Sequence, residues 1–232
     1  MRTIGLIGGM SWESSLDYYR FANEMVKEKL GEPHSARIIM YSVDFAEFKQ
    51  LQHGENWDKL TAKMIEIAGR LETAGADMIV ICANTMHLMA DEVEEKINIP
   101  LLHIADAAGE PLKADGIEVA GLLGTRFTME KNFYTKRLQE KHGIEVVIPE
   151  IRGRKAIHEI IYEELISGII RDESRAKLEE IITGLKQKKK AEGIILGCTE
   201  LPMLTENKDF DLPLYNTTRL HIREAVNLAL NE

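Results

Sequence analysis

The residues whose type and spacing best suit chemistry are the chain's only two cysteines, Cys82 and Cys198. Cys82 ends the apolar run Ala76-Asp77-Met78-Ile79-Val80-Ile81, and Cys198 ends Gly193-Ile194-Ile195-Leu196-Gly197. They stand 116 residues apart (198 − 82 = 116), and Gly5-Leu6-Ile7-Gly8 recurs as Gly121-Leu122-Leu123-Gly124 at the same offset. Two thiols at equivalent places in two similar halves suggest two acid/base groups facing one cleft. A reaction in which a proton leaves one face of a carbon and returns to the other needs such a pair. Each cysteine precedes helix-opening residues, Asn84-Thr85 in the first half and Thr199 with Pro202 in the second. A thiol at a helix N-terminus feels the positive end of the macrodipole, which predicts a pKa below the free value of about 8.5. The same N–H groups suit a substrate carboxylate.

The elements that must position these thiols follow from apolar, β-branched runs alternating with helical patterns. Strands are expected at 2–8, 37–43, 77–82, 99–103, 117–124, 144–149, 193–198 and 212–216. Helices are expected at 14–30, 56–74, 86–96, 130–142, 155–168, 173–188, 200–206 and 217–230. This alternation predicts an α/β fold with mainly parallel sheets flanked by helices. Tyr18 and Tyr134 again differ by 116 residues, and Pro100-Leu101 matches Pro213-Leu214. The repeat therefore predicts an internal duplication, two similar lobes related by a pseudo-twofold, with working residues at the carboxyl ends of the strands. The first lobe is expected to hold 1–103 plus 208–232, with Cys82, and the second 104–207, with Cys198.

The glycines of Gly5-Leu6-Ile7-Gly8-Gly9-Met10-Ser11 do not fit a dinucleotide loop. They read instead as a tight turn presenting Met10 and Ser11, and Gly124-Thr125-Arg126-Phe127-Thr128-Met129 as its partner, offering hydroxyls to a carboxylate. Lys49, Gln52 and His53 fall in an expected loop after the second strand, a natural place for a specificity element. The seven histidines show no metal-binding spacing, and no G-x-S-x-G elbow supports a hydrolase. A net charge of −9 argues against nucleic acid and anionic membranes as partners. No apolar run has the length of a membrane span, the start lacks a signal-peptide pattern, and two cysteines form no disulfide framework, so a cytoplasmic setting is expected.

Together these segments resemble the aspartate/glutamate racemase superfamily, most closely its aspartate racemase branch. The resemblance rests on Gly5 to Ser14, Cys82-Ala83-Asn84-Thr85-Met86-His87, His103-Ile104-Ala105-Asp106, Leu123-Gly124-Thr125 with Thr128-Met129, Gly197-Cys198-Thr199-Glu200-Leu201, and Thr217-Thr218. It implies a two-lobed α/β enzyme, frequently a homodimer, that racemises an amino acid without pyridoxal phosphate, metal or nucleotide. It assigns Cys82 and Cys198 as the two proton-transferring residues, Cys198 acting on the L-isomer and Cys82 on the D-isomer. It places Asn84, Thr85, Thr125 and Thr199 around the α-carboxylate, and Met10 and Gln52 at the side-chain end. Ser11 and Thr128, from the two turns, complete the expected substrate-binding set. Two departures stand out. Gln52 and Glu163-Glu164 occupy places where aspartate racemases bring basic residues, and Tyr215-Asn216 replaces an Asp before Thr-Thr. The rival readings are an isomerase or decarboxylase of another small diacid, and an amino-acid-binding protein without turnover.

Overall fold

A computed structural model describes residues 1–205 and 209–231. The chain divides into two compact units, Met1–Ile104 with the C-terminal segment from Thr218, and Ala105–Thr217. In the first, β1 (Ile4–Gly8), β2 (Ile38–Ser42), β3 (Met78–Ile81) and β4 (Leu101–Leu102) form a sheet of order β2-β1-β3-β4. All its pairings are parallel. Its helices are α1 (Trp12–Leu30), α2 (Phe45–His53), α3 (Trp57–Thr73) and α4 (Ala90–Glu94), with a 3₁₀ segment at Thr85–Met89. Opening and filling the second unit, α5 (Ile104–Ala114), α6 (Arg126–Glu130), α7 (Asn132–His142), α8 (Ile151–Glu163), α9 (Asp172–Lys189) and α10 (Pro202–Thr205) alternate with four more strands. These are β5 (Val119–Gly124), β6 (Glu145–Val147), β7 (Gly193–Gly197) and β8 (Leu214–Asn216), in the parallel order β6-β5-β7-β8. The second sheet thus repeats the strand order of the first. Finally α11 (Thr217–Leu230) runs into the first unit.

The central strands β1, β3, β5 and β7 read as unbroken apolar runs because they are covered on both faces. Successive side chains point to opposite faces. Ile7, Ile79 and Ile81 pack under Phe48 of α2 and Leu60, Met64 and Leu71 of α3. Leu6, Met78, Val80 and Cys82 face the other way, against Tyr18 and Val26 of α1 and Ile222 and Val226 of α11. In the second unit Leu123, Ile194, Leu196 and Cys198 share a core with Ile157 and Ile161 of α8 and Leu178 and Ile182 of α9.

The predicted return at 208 is corrected. Residues 206–208 lie outside the described residues, as does the end of the helix expected at 200–206. The strand that follows pairs Ile195 with Tyr215 on the edge of β7, and so stays in the second sheet. It meets the need of that edge for backbone partners, Ile194 N–H donating to the Pro213 carbonyl (2.9 Å). Only α11 goes back. Three helices were not foreseen. Asp44 caps α2, its carboxylate accepting from Ala46 N–H (3.0 Å), and Thr125 caps α6. The third, α5, carries Gly109 and Pro111, which disguise it; at Gly109 a Cβ would stand 2.5 Å from the His142 ring of α7.

Candidate active site

Each cysteine follows the third strand of its chain half, at the carboxyl end of a parallel sheet, where open α/β folds bind ligands. Cys82 N–H donates to the Ile7 carbonyl (2.9 Å), fixing it to the end of β1. There the chain turns at Gly9, whose φ is +89° and where a Cβ would lie 2.3 Å from the Val43 carbonyl oxygen. This close approach admits no side chain. Ser15 Oγ accepts from Gly9 N–H (2.7 Å) and donates to the Ser11 carbonyl (3.0 Å), while Ser14 Oγ donates to the Cys82 carbonyl (3.0 Å). The Gly-rich turn, the start of α1 and the Cys82 backbone are one hydrogen-bonded body. Ser11 serves as the N-cap of α1, and Met10 packs into the core with Phe48 and Met86.

In the second unit the ends of β5 and β7 come equally close. A Cβ on Gly124 would stand 2.7 Å from the Gly197 carbonyl oxygen, and one on Gly197 would stand 3.3 Å from Thr128 Cγ2. Thr128 is therefore seated against the last residue before Cys198. Thr125 Oγ1 caps α6, accepting from Thr128 N–H (3.3 Å), and the two hydroxyls lie 3.2 Å apart. Cys198 Sγ–H donates to Glu200 Oε2 (2.9 Å), and Thr199 Oγ1 donates to the same oxygen (2.7 Å). Glu200 is buried, and sequence reasoning quoted it without giving it a role. Its signal was available, because Glu200 is the 116-residue counterpart of Asn84.

The expected depression of the thiol pKa values is overturned. Burial pushes Cys82 up, and burial followed by the charge and hydrogen bond of Glu200 pushes Cys198 up. The helical pieces after the cysteines explain why the dipole loses. They are a five-residue 3₁₀ segment and a four-residue helix, too short to build a sizeable macrodipole against full desolvation.

Gln52 and Glu163-Glu164 depart from expectation. Gln52 lies in the last turn of α2 rather than in a loop, and is buried. Asn84 and Thr85 are buried beside Cys82, Thr85 opening the 3₁₀ segment. Glu163 is exposed, whereas Glu164 turns to α9, accepting from Ser174 Oγ (2.5 Å) with Arg171 at 3.8 Å. Arg154, earlier on the same helix, pairs with Glu130 (2.9 Å). At the other departure Tyr215 Oη donates to Asp115 (2.7 Å), and Thr217 Oγ1 donates to the Leu196 carbonyl (2.8 Å).

Beside Cys82 lies a cluster of imidazoles. His87 Nδ1–H donates to the Ala83 carbonyl (3.0 Å), and its ring sits 4.8 Å from that of His103 and 5.3 Å from that of His221. His221 donates from Nε2 to the Leu102 carbonyl (2.8 Å) and accepts at Nδ1 from Tyr18 Oη (3.0 Å). Burial lowers the pKa of His87 well below its ordinary value and that of His221 to about 4. Among the described residues no group of three or more His, Cys, Asp or Glu side chains is arranged to hold a metal ion.

The fold of two parallel α/β units is shared with solved structures of the racemase class. The chain superposes on an aspartate racemase homologue from Pyrococcus horikoshii OT3 with a TM-score of 0.87 and 36% identity, covering 99% of this chain and 100% of that one. The fold also matches Picrophilus torridus aspartate racemase, at a TM-score of 0.76 and 22% identity over 99% of this chain and 94% of that one. A sequence relative is the broad specificity amino-acid racemase RacX of Bacillus subtilis (strain 168), 21% identical with 98% of each chain covered. Residues 7–225 match the Asp/Glu/hydantoin racemase family, and the chain belongs to it.

Proposed function

We propose that this protein racemises an amino acid by two-base proton transfer, with Cys82 and Cys198 as the two bases and aspartate as the first substrate to test, glutamate the second. The observation that carries this reading is the duplicated thiol setting: two buried cysteines, each following the third strand of sheets with the same strand order. The family and its relatives support racemisation, and the glutamate racemase of Actinobacillus pleuropneumoniae serotype 3 (strain JL03), 26% identical, keeps glutamate in view.

In the proposed step the Cα–H bond breaks, its proton passes to one thiolate, and the electron pair spreads into the α-carboxylate. The other thiol then releases its proton to the opposite face of the carbon. An α-hydrogen is a very weak acid, so a thiolate whose pKa has been raised by burial is scarce but a stronger base. Asn84 and Thr85 beside Cys82, and Thr125, Thr128 and Thr199 beside Cys198, are assigned as donors to the substrate, with Met10, Ser11 and Gln52 toward its side chain. Each donor aimed at the developing negative charge contributes roughly 3 kcal/mol in comparable oxyanion sites. The chemistry calls for no cofactor.

We place the enzyme in the cytoplasm, where its two free thiols persist, and expect a homodimer. No helix among the described residues is long and apolar enough to cross a membrane. Trp12, Leu16 and Tyr19, large exposed apolar residues at helical spacing along α1, offer a face for self-association. The central test is deuterium incorporation at the α-carbon of L- and D-aspartate and glutamate in heavy water. Wild type exchanges and racemises, and Cys82→Ala and Cys198→Ala each lose racemisation. Undiminished racemisation by either variant would sink the two-thiol mechanism.

A further inference from the structure

The duplication that makes the two thiols equivalent in position does not extend to the residues that follow them. Position 84 of the first half is Asn and its 116-residue counterpart is Glu200, so a neutral amide stands where the second half carries a carboxylate. The difference reaches the sulfur directly. Cys198 Sγ lies 2.9 Å from Glu200 Oε2, and Thr199 Oγ1 holds that oxygen in place at 2.7 Å. Cys82 Sγ–H donates to the Val80 carbonyl at 4.0 Å, and no charged side chain acts on its thiol among the described residues. Cys198 also belongs to an apolar cluster with Leu123 of β5, Met129 of α6, Ile157 of α8 and Leu178 of α9. The titratable groups that α8 brings to this cluster are Tyr162, half-buried, and His158, whose ring is 4.6 Å from that of Tyr162.

We infer that Glu200 makes the two thiols unequal, holding Cys198 protonated as the resting proton donor and leaving Cys82 as the thiol that ionises first. A carboxylate in hydrogen-bond contact stabilises S–H, which it can accept from, and repels S⁻, which it cannot. The inference rests on the racemase reading for its role in turnover. The resting enzyme is then poised for the enantiomer whose α-hydrogen is taken by Cys82. That proton goes to Cys82 Sγ, the electron pair stays on the carbanion, and the Cys198 S–H proton forms the new C–H bond. Glu200 gains and loses nothing in the step. It acts through Cys198 and is a positioning residue.

The test reads each thiol alone, by the pH dependence of iodoacetamide alkylation in Cys82→Ala and Cys198→Ala backgrounds. Adding Glu200→Gln is expected to lower the alkylation midpoint of Cys198 by one unit or more, as loss of a contacting like charge does. At a fixed pH below both midpoints this is about a tenfold rise in rate. The midpoint of Cys82 is expected to stay where it was. Glu200→Asn, which installs the residue of the first half, is expected to give the same shift should the glutamine variant fold poorly. An unchanged or raised Cys198 midpoint in the folded variants overturns the inference, as does an equal fall at Cys82. Alkylation requires no turnover, so a shifted midpoint in a protein that racemises no amino acid would refute the function and leave the inequality of the thiols standing.

Discussion

Acidification should loosen this protein through His221, by an amount that its surroundings fix. The imidazole is fully buried, and its neutral form uses both nitrogens, donating to the Leu102 carbonyl and accepting from Tyr18 Oη. A proton on Nδ1 would face the Tyr18 hydroxyl in a site closed to bulk solvent. Burial therefore lowers the pKa from 6.5 to about 4 in the folded chain. Between these values the unfolded chain binds more protons than the folded one, so stability rises with pH across that window. The stabilisation is full above 6.5 and fades as pH falls toward 4. Linkage gives a loss of about 2 kcal/mol from this one group between pH 7 and pH 5. His87, depressed by the same cause and by its two imidazole neighbours, adds in the same direction. Urea unfolding followed by far-UV circular dichroism at pH 7, 6 and 5 reads the total. His221→Gln, which keeps a donor and an acceptor but does not titrate, should reduce the pH 7-to-5 loss by about 2 kcal/mol. If wild type and His221→Gln lose stability in parallel, the buried-imidazole argument is wrong.

Other outcomes are open to equally direct measurement. Gly9→Ala sets a methyl 2.3 Å from the Val43 carbonyl oxygen at φ +89°, and should cost roughly 2 kcal/mol or more in chemical denaturation, together with racemase activity. Thr125→Ala removes the α6 cap beside Thr128, and should cost about 1 kcal/mol of stability while raising KM more than it lowers kcat. With both thiols pushed up by burial, the rising limb of racemisation against pH should lie above the free-thiol value of about 8.5, and a limb near neutrality would contradict it. Leu16→Glu, on the exposed face of α1, should convert a dimer to a monomer in sedimentation velocity without changing the circular dichroism spectrum.

Much of the architecture was written along the chain. All eight expected strands form among the described residues, and the central ones, covered on both faces, need apolar runs whatever their neighbours. The long helices follow their apolar periodicity, with α11 matching its expected bounds. The missed helices were hidden for local reasons. Gly109 and Pro111 interrupt the pattern of α5, yet Gly109 is required by the His142 ring lying against it. The single turn of α6 is too short to show a period. The partner of the last strand was also beyond the sequence. Leu214–Asn216 is a strand by composition, but only the open edge of β7 decides that it belongs to the second sheet.

The sequence by itself determined that this chain carries two thiols in a duplicated α/β frame, since identity and spacing survive in one dimension. Tertiary structure decided what those thiols are. Helix N-termini suggested acidic cysteines, but a dipole scales with helix length and desolvation with burial, and both quantities exist only once the chain is folded. Cys82 is buried with no charged side chain acting on it among the described residues, and Cys198 is buried against Glu200 at 2.9 Å. The residue that separates them stands at one position of the repeat, Asn84 in one half and Glu200 in the other. Its meaning appeared only when the fold brought the carboxylate against the sulfur.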